Sequence, residues 1–176
     1  MITDSFDYKS PAIINPVKKE NRIKVDACII TFSHQIEKAK VMIPTAAYRD
    51  EGTSYHYAPA ADYITIKNSD IVAECMKANG IPFVQGKTWT TDSFYRETRN
   101  NFEKHKADGC ISVEMECAAV QAVCDFRGLE LYPFFTSGDL LDAPEWDERN
   151  KDNDDGGQHD AGHFNIALVL AEYISN

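Results

Sequence analysis

Residues 111–120 read ISVEMECAAV, and this stretch contains the change from a strand pattern to a helix pattern. The run from Cys110 to Met115 has a strand-like pattern, which predicts a strand. Cys117 to Arg127 follows with helical spacing, and Gly128 supplies a stop signal. A strand that leads directly into a helix is typical of α/β domains.

The predicted helix has one apolar face. Cys117, Val120 and Cys124 have the i, i+3, i+7 spacing of a buried stripe, whereas Gln121 and Asp125 fall beside it and are expected to reach solvent. We therefore interpret the two cysteines as small buried hydrophobic residues without thiol chemistry.

The rest of the chain repeats the alternation of strands and helices. Strands are predicted at residues 25–32, 41–48, 62–66, 83–89 and 131–137. Helices are predicted from Asn68 or Ser69 to Gly80, within residues 92–107, and at 164–174. This order predicts a single α/β domain over residues 1–176, with a mixed central sheet flanked by helices.

Composition narrows the class of partner. The 176 residues include 18 Lys and Arg against 28 Asp and Glu, a net charge of -10, which argues against nucleic acid as a partner. The longest clean apolar run is residues 166–171, far short of the roughly 20 residues that cross a bilayer, so no membrane span is expected. Five irregularly spaced cysteines favour reduced thiols and a cytoplasmic location.

The junction between the predicted strand and helix is a candidate binding site. Period-two alternation puts Val113 and Met115 on one strand face and Glu114 on the other, with Glu116 at the junction. Open α/β sheets bind ligands at the carboxyl ends of their strands. A carboxylate there can accept hydrogen bonds from a vicinal diol, and a Met thioether can pack on a sugar ring. The alternative is that both glutamates are solvated partners of the helix dipole.

Two other segments could contribute chemistry. Residues 86–95 contain Trp89, Phe94 and Tyr95, which could stack on a flat heterocycle or serve as lid or core packing. Residues 133–142 deliver Asp139 after an apolar run, where burial could raise the pKa of a carboxyl group and make it a proton donor. Alternatively, Ser137 and Asp139 only cap and turn the chain.

No metal site or organic cofactor is expected. The acidic segment at residues 147–160 lacks the EF-hand positions for its glycine and its bidentate Glu. His159 and His163 are four residues apart, but no general-base Glu follows His159, so we interpret them as exposed histidines near a helix start.

Three blocks together resemble the nucleoside phosphorylase family, which includes uridine phosphorylase, hexameric purine nucleoside phosphorylase and the methylthioadenosine nucleosidases. The blocks are VMIPTAAYRDEGTSYHYAP at 41–59, GKTWTTDSFY at 86–95 and ISVEMECAAV at 111–120. The resemblance covers residues 41–176, and the pattern from Arg49 to His56 is most similar to the uridine phosphorylase branch.

The resemblance implies a role for each candidate residue. Glu116 matches the glutamate that holds the ribose hydroxyls, Met115 the methionine on the sugar, and Phe94 the aromatic residue of the base pocket. Val113 and Glu114 match neighbours in the same wall. In one alignment, Asp139 matches the acid that protonates a purine base, and in the other alignment Gly138 takes that position.

The implied activity is reversible phosphorolysis of a ribonucleoside, uridine or a purine nucleoside, to free base and ribose 1-phosphate. Inorganic phosphate is the co-substrate, no other cofactor is implied, and family members form homo-oligomers. In this reaction, phosphate attacks an oxocarbenium-like sugar as the base leaves, so positioning and electrostatics supply much of the catalysis.

Two departures leave alternatives open. Thr98 and Asn100 stand where uridine phosphorylases place the Gln and Arg that read uracil, so the base is a pyrimidine or a purine. An apparent internal deletion near residues 39–41 removes the family's phosphate-binding Arg and Gly-rich turn, leaving the fold incomplete. The alternatives to a phosphorylase are a truncated, non-catalytic nucleoside-binding or assembly subunit, and a phosphate-independent nucleosidase.

Overall fold

The computed structural model describes residues 41–136 and 158–175. The strands are β1 (Val41–Asp50), β2 (Tyr63–Thr65), β3 (Phe83–Thr91) and β4 (Cys110–Glu114). The helices are α1 (Ser69–Ala78), α2 (Arg99–Ala107), α3 (Cys117–Arg127) and α4 (Gln158–Ser175), with short 3-10 turns at Thr53–His56 and Phe94–Arg96. The strand predicted at 25–32 lies outside the described residues.

The four strands form one mixed sheet in the order β2-β1-β3-β4. β1 pairs antiparallel with β2 and parallel with β3, and β3 pairs parallel with β4. Helix α1 makes the crossover into β3 and α2 makes the crossover into β4. The mixed α/β sheet flanked by helices is as predicted, and it brings the carboxyl ends of β1, β3 and β4 to one edge.

The last predicted strand is largely absent. In residues 131–136, only Phe135 pairs with the sheet, through an isolated antiparallel bridge in which it exchanges two 2.8 Å hydrogen bonds with Met42. Pro133 lies in this segment and cannot donate to a ladder, which explains why the pairing does not extend. Ser137 lies outside the described residues.

Helix α3 buries a different stripe from the one predicted. Cys117, Ala118, Gln121 and Ala122 are buried, whereas Cys124 is only partly buried. The expectation that Gln121 reaches solvent is wrong, since it is 1% exposed. Its Nε2 donates a 2.8 Å hydrogen bond to Oδ1 of the exposed Asp125, and its Oε1 is buried with no hydrogen-bond partner among the described residues.

Helix α4 begins six residues earlier than predicted, at Gln158. His163 is consequently on a buried stripe with Ala167 and Leu170, and the prediction that it is exposed is wrong. Its ring Nε2 is hydrogen-bonded to Thr136 Oγ1. The side chain of His159 lies outside the described residues. Among the described helices, none has the length and hydropathy needed to span a bilayer.

Two apolar clusters hold the sheet. One joins the start of β1 to α1 and α4, with Ile43, Met76 and Leu170 among its buried members. The other contains Ala47 and Ala118 and packs the end of β1 against the start of α3. The second cluster fixes α3 at the carboxyl edge of the sheet, next to the candidate site.

Candidate functional site

The junction between β4 and α3 is built around the carboxylate of Glu114. Strand β4 ends at Glu114, one residue earlier than predicted, so Met115 and Glu116 form the bend that precedes α3. Glu114 Oε2 accepts hydrogen bonds from the backbone amides of Glu116 at 2.8 Å and Cys117 at 2.6 Å. These amides belong to the helix N-terminus, where backbone donors have no partner within the helix.

The other oxygen of Glu114 faces strand β3. Glu114 Oε1 accepts hydrogen bonds from Thr90 Oγ1 at 2.5 Å and from Thr88 Oγ1 at 3.3 Å. An ionised carboxylate has about four acceptor positions, and here two donors reach each oxygen. Thr88 Oγ1 also lies 3.4 Å from the Ser112 carbonyl, so its single proton is shared between two acceptors. Three firm hydrogen bonds, from Thr90 and the two amides, therefore engage Glu114 in holding the junction together.

Burial dominates the electrostatics of this junction. Desolvation raises the pKa of Glu114, the hydrogen bonds from Thr90 and from the Cys117 and Glu116 amides oppose that shift, and the neighbouring Glu116 charge adds to it. Burial also raises the pKa of the Cys117 thiol, and the charges of Glu114 and Glu116 act in the same direction. Cys117 is therefore held as a neutral thiol, in keeping with its interpretation as a core residue.

Glu116 occupies the N-cap position of α3, but its side chain makes no capping hydrogen bond. The side chain is partly buried, and the neighbouring Met115 is 41% exposed. Of the two glutamates, Glu114 thus serves the helix N-terminus through a partly buried side chain. The carboxylate of Glu116 and the thioether of Met115 remain at the surface, where a polyhydroxylated ligand can reach them.

The aromatic residues Phe94 and Tyr95 lie just after the carboxyl end of β3, at the same edge of the sheet as the β4–α3 junction. Strand β3 runs parallel to β4, with Thr90 opposite Glu114, and the 3-10 turn at Phe94–Arg96 follows its carboxyl end. The two rings lie 3.9 Å apart between centroids and are 55% and 79% exposed. The core-packing alternative is therefore wrong for both of them, and their faces are accessible to a flat ligand.

Trp89 has the core-packing role that was the alternative for these aromatic residues. Its ring is 1% exposed and stacks on His105, with centroids 4.4 Å apart, and its Nε1 donates to Asp50 Oδ2 at 3.0 Å. Trp89 is therefore a core residue on the sheet face opposite to Thr90. Asp139 lies outside the described residues.

Arg49 belongs to the block at 41–59 that resembles the family, but the sequence did not predict its structural role. It is 4% exposed; its Nε donates to Ser54 Oγ at 2.7 Å and its Nη1 to the Pro59 carbonyl at 2.6 Å. The guanidinium carbon also lies 4.1 Å from the centre of the Tyr55 ring. Arg49 therefore organises residues 51–61, directly after β1.

The sequence also did not predict that the hydroxyls of Thr88 and Thr90 are hydrogen-bonding partners of Glu114. Both threonines are fully buried and flank Trp89 on β3, so they share the opposite sheet face. Threonine is common in strands for its β-branched shape alone, so this alternation carries no signal of a hydrogen-bonding role.

Comparison with known proteins places this geometry in context. Residues 31–174 match the Phosphorylase superfamily. A DeoD-type purine nucleoside phosphorylase of Exiguobacterium sibiricum is 29% identical over 85 residues, which are 48% of this chain and 35% of that protein. The similarity therefore spans about a third of the length of this relative.

Two solved structures share the fold. The AMP nucleosidase of Bacteroides thetaiotaomicron has a TM-score of 0.55 at 18% identity and covers 77% of this chain and 53% of its own. The purine nucleoside phosphorylase of Toxoplasma gondii, in complex with immucillin-H, has a TM-score of 0.58 at 18% identity. The match covers 76% of this chain and 54% of that protein. With the family match over most of its length, the chain belongs to the phosphorylase superfamily.

Proposed function

We propose that this chain binds a ribonucleoside at the β4–α3 junction and uses inorganic phosphate to cleave its glycosidic bond, giving free base and ribose 1-phosphate. Glu116 accepts hydrogen bonds from the ribose hydroxyls, Met115 packs on the sugar and Phe94 stacks on the base. The observation that carries the proposal is the division of roles between the two glutamates. Glu114 satisfies the helix amides, and Glu116 keeps its carboxylate for a ligand.

The proposed reaction is a substitution at the anomeric carbon. The bond from C1′ to the base nitrogen breaks, its electron pair leaves with the base, and a phosphate oxygen forms the new bond to C1′. The leaving base takes up a proton, for which Asp139 is the candidate donor. A diol fixed by Glu116 holds the sugar while positive charge develops at C1′, which lowers the barrier through positioning and electrostatics.

The local structure supports a purine as the base. Thr98 is the N-cap of α2, where its hydroxyl accepts a hydrogen bond from the Asn101 amide, and Asn100 lies in the first turn of that helix. The two positions that would read uracil are therefore a helix cap and an exposed helical residue. The purine nucleoside phosphorylase among the relatives points the same way.

Among the described residues, few cationic side chains are candidates for binding the phosphate. Arg49 donates from Nε and Nη1 to its own loop, while its buried Nη2 has no hydrogen-bond partner among the described residues. Arg96, Arg99 and Arg127 are exposed. We propose that the chain works as a homo-oligomer, in which a second copy supplies cations to the phosphate. We also retain the proposal of a single domain with an internal deletion near residues 39–41.

The test is release of free base from inosine, adenosine and uridine by the folded chain, with and without inorganic phosphate. Phosphate-dependent release from inosine or adenosine is the expected result. Release that does not need phosphate would make the chain a nucleosidase. Tight nucleoside binding with no release in either condition would make it a non-catalytic binding subunit, and the proposed reaction would be wrong.

A further inference from the structure

The hydroxyl of Thr90 joins three elements of the fold. Thr90 is fully buried near the end of β3, directly opposite Glu114 of β4 in the parallel register. Its Oγ1 donates to Glu114 Oε1 at 2.5 Å and accepts a 3.1 Å hydrogen bond from the backbone amide of Ala118 in α3. One buried hydroxyl thus ties β3 to both β4 and the first turn of α3.

Together, Thr90 and Glu114 satisfy three consecutive backbone amides. The amides of Glu116 and Cys117 donate to Glu114, and the amide of Ala118 donates to Thr90. The first amides of a helix have no partner within it, so these three bonds fix the direction in which the chain enters α3. Glu116 takes no part in this through its side chain.

The neighbouring Thr88 does not duplicate this arrangement. Its Oγ1 lies 3.3 Å from Glu114 Oε1 and accepts a 2.9 Å hydrogen bond from Ser112 Oγ. None of the hydrogen bonds of Thr88 reaches α3. Thr90 alone among these strand hydroxyls connects the carboxylate of Glu114 to the helix backbone beyond Glu116.

We infer that Thr90 is a positioning residue for Glu116: its hydroxyl holds Glu114 and the first turn of α3 where the Glu116 carboxylate meets the ribose diol. This inference rests on the proposed function. Thr90 itself is buried beneath the junction and touches no ligand. Replacing its hydroxyl by a methyl group leaves a buried amide and a partly buried carboxylate oxygen each one partner short, so the bend at 115–116 shifts.

The test compares inosine with 2′,3′-dideoxyinosine, which lacks the diol that Glu116 holds. Calorimetric titration of the full chain gives both affinities. We expect Thr90→Val to weaken inosine binding about tenfold and to change dideoxyinosine binding by less than about twofold. Thr90→Ser keeps the hydroxyl and is expected to restore the inosine affinity to within about twofold.

Thr91→Val is the matched control. Thr91 is on the same strand and equally buried, but within the described part of the chain its hydroxyl is hydrogen-bonded only to the backbone of Ser93. We expect this variant to keep the ratio of inosine affinity to dideoxyinosine affinity that the unaltered chain has. If Thr90→Val does not fold, Thr90→Ala removes the same hydroxyl, and we expect it to lower the ratio of inosine to dideoxyinosine affinity likewise.

An unchanged affinity ratio in a folded Thr90→Val or Thr90→Ala variant would overturn the inference, even if stability fell. Glu116→Ala separates this outcome from failure of the proposed function. If Glu116→Ala lowers the inosine affinity and Thr90→Val does not, only the positioning role is wrong. If the unaltered chain does not bind inosine, or Glu116→Ala binds it equally well, the proposed function itself is wrong.

Discussion

The backbone amide of Cys117 donates a 2.6 Å hydrogen bond to Glu114 Oε2, so a carboxylate in the preceding strand does the work of a helix N-cap. The residue at the N-cap position itself is Glu116, whose side chain makes no capping bond. Helices usually satisfy these amides with the side chain at the N-cap. Moving the task to Glu114 leaves a second carboxylate available at the same helix end.

Glu114 should therefore be important for stability. We expect Glu114→Ala to lower the free energy of unfolding by about 2–4 kcal/mol, because two backbone amides and the buried Thr90 hydroxyl lose their acceptor. Urea unfolding measures this change. The matched control is Glu74→Ala on the exposed face of α1, with an expected loss below about 0.5 kcal/mol. Equal losses for the two variants would show that the bonds of Glu114 add little.

His105 should make stability depend on pH. Its ring lies between Tyr48 and Trp89, with both centroid distances at 4.4 Å. Burial lowers the pKa of His105, and the adjacent Lys104 lowers it further, against the opposing effect of Asp50 and Asp108. The fold therefore favours the neutral imidazole.

The sign of the effect follows from proton binding. As pH falls through the ordinary imidazole range near about 6.5, the unfolded chain takes up a proton at this site and the folded chain resists it. We expect the urea concentration at the unfolding midpoint to be lower at pH 5.5 than at pH 7.5. We expect His105→Phe to make this difference smaller. A variant with the same pH dependence as the unaltered chain would exclude His105 as its source.

Gly86 is required by the close approach of strand β4. A Cβ added at Gly86 would lie 2.6 Å from Cγ2 of Ile111. We expect Gly86→Ala to cost about 1–3 kcal/mol of unfolding free energy, and the double variant Gly86→Ala with Ile111→Ala to recover most of it. Additive effects in this double-mutant cycle, measured by urea unfolding, would mean that the two positions do not conflict.

Arg49 should not tolerate replacement by lysine. Lysine cannot reproduce the fork that reaches both Ser54 Oγ and the Pro59 carbonyl. We expect Arg49→Lys to lower the free energy of unfolding by about 2–3 kcal/mol and to speed proteolytic cleavage within residues 51–61. Arg127→Lys, at an exposed position, is the control. Unaltered cleavage kinetics in Arg49→Lys would argue against this role.

The sequence predicted local elements better than their lateral packing. Strand β4 and helix α3 were recognisable because apolar alternation changes to helical spacing across residues 111–120, and Gly128 does end α3 with a positive φ of 67°. The burial of Gln121 and His163 was missed because it depends on where each helix begins and on what packs against it.

The candidate site was predictable in part. The family resemblance singled out Glu116, Met115 and Phe94, and the structure leaves all three accessible at one sheet edge. The hydrogen bonds from Thr90 to Glu114 and from Ala118 to Thr90 were not predictable, because they join residues 24 and 28 positions apart across two strands and a helix. Pairings of this kind depend on parallel register, which local patterns do not encode.

The most direct measurement is inosine binding by the full chain and by Glu116→Ala, using isothermal titration calorimetry, with Glu74→Ala as a control for a surface glutamate. The account predicts a loss of at least about tenfold in affinity for Glu116→Ala, since a charge-assisted pair of hydrogen bonds to the ribose is removed, and no change for Glu74→Ala. Equal inosine affinity in the unaltered chain and Glu116→Ala would contradict the central claim that Glu116 holds the ribose.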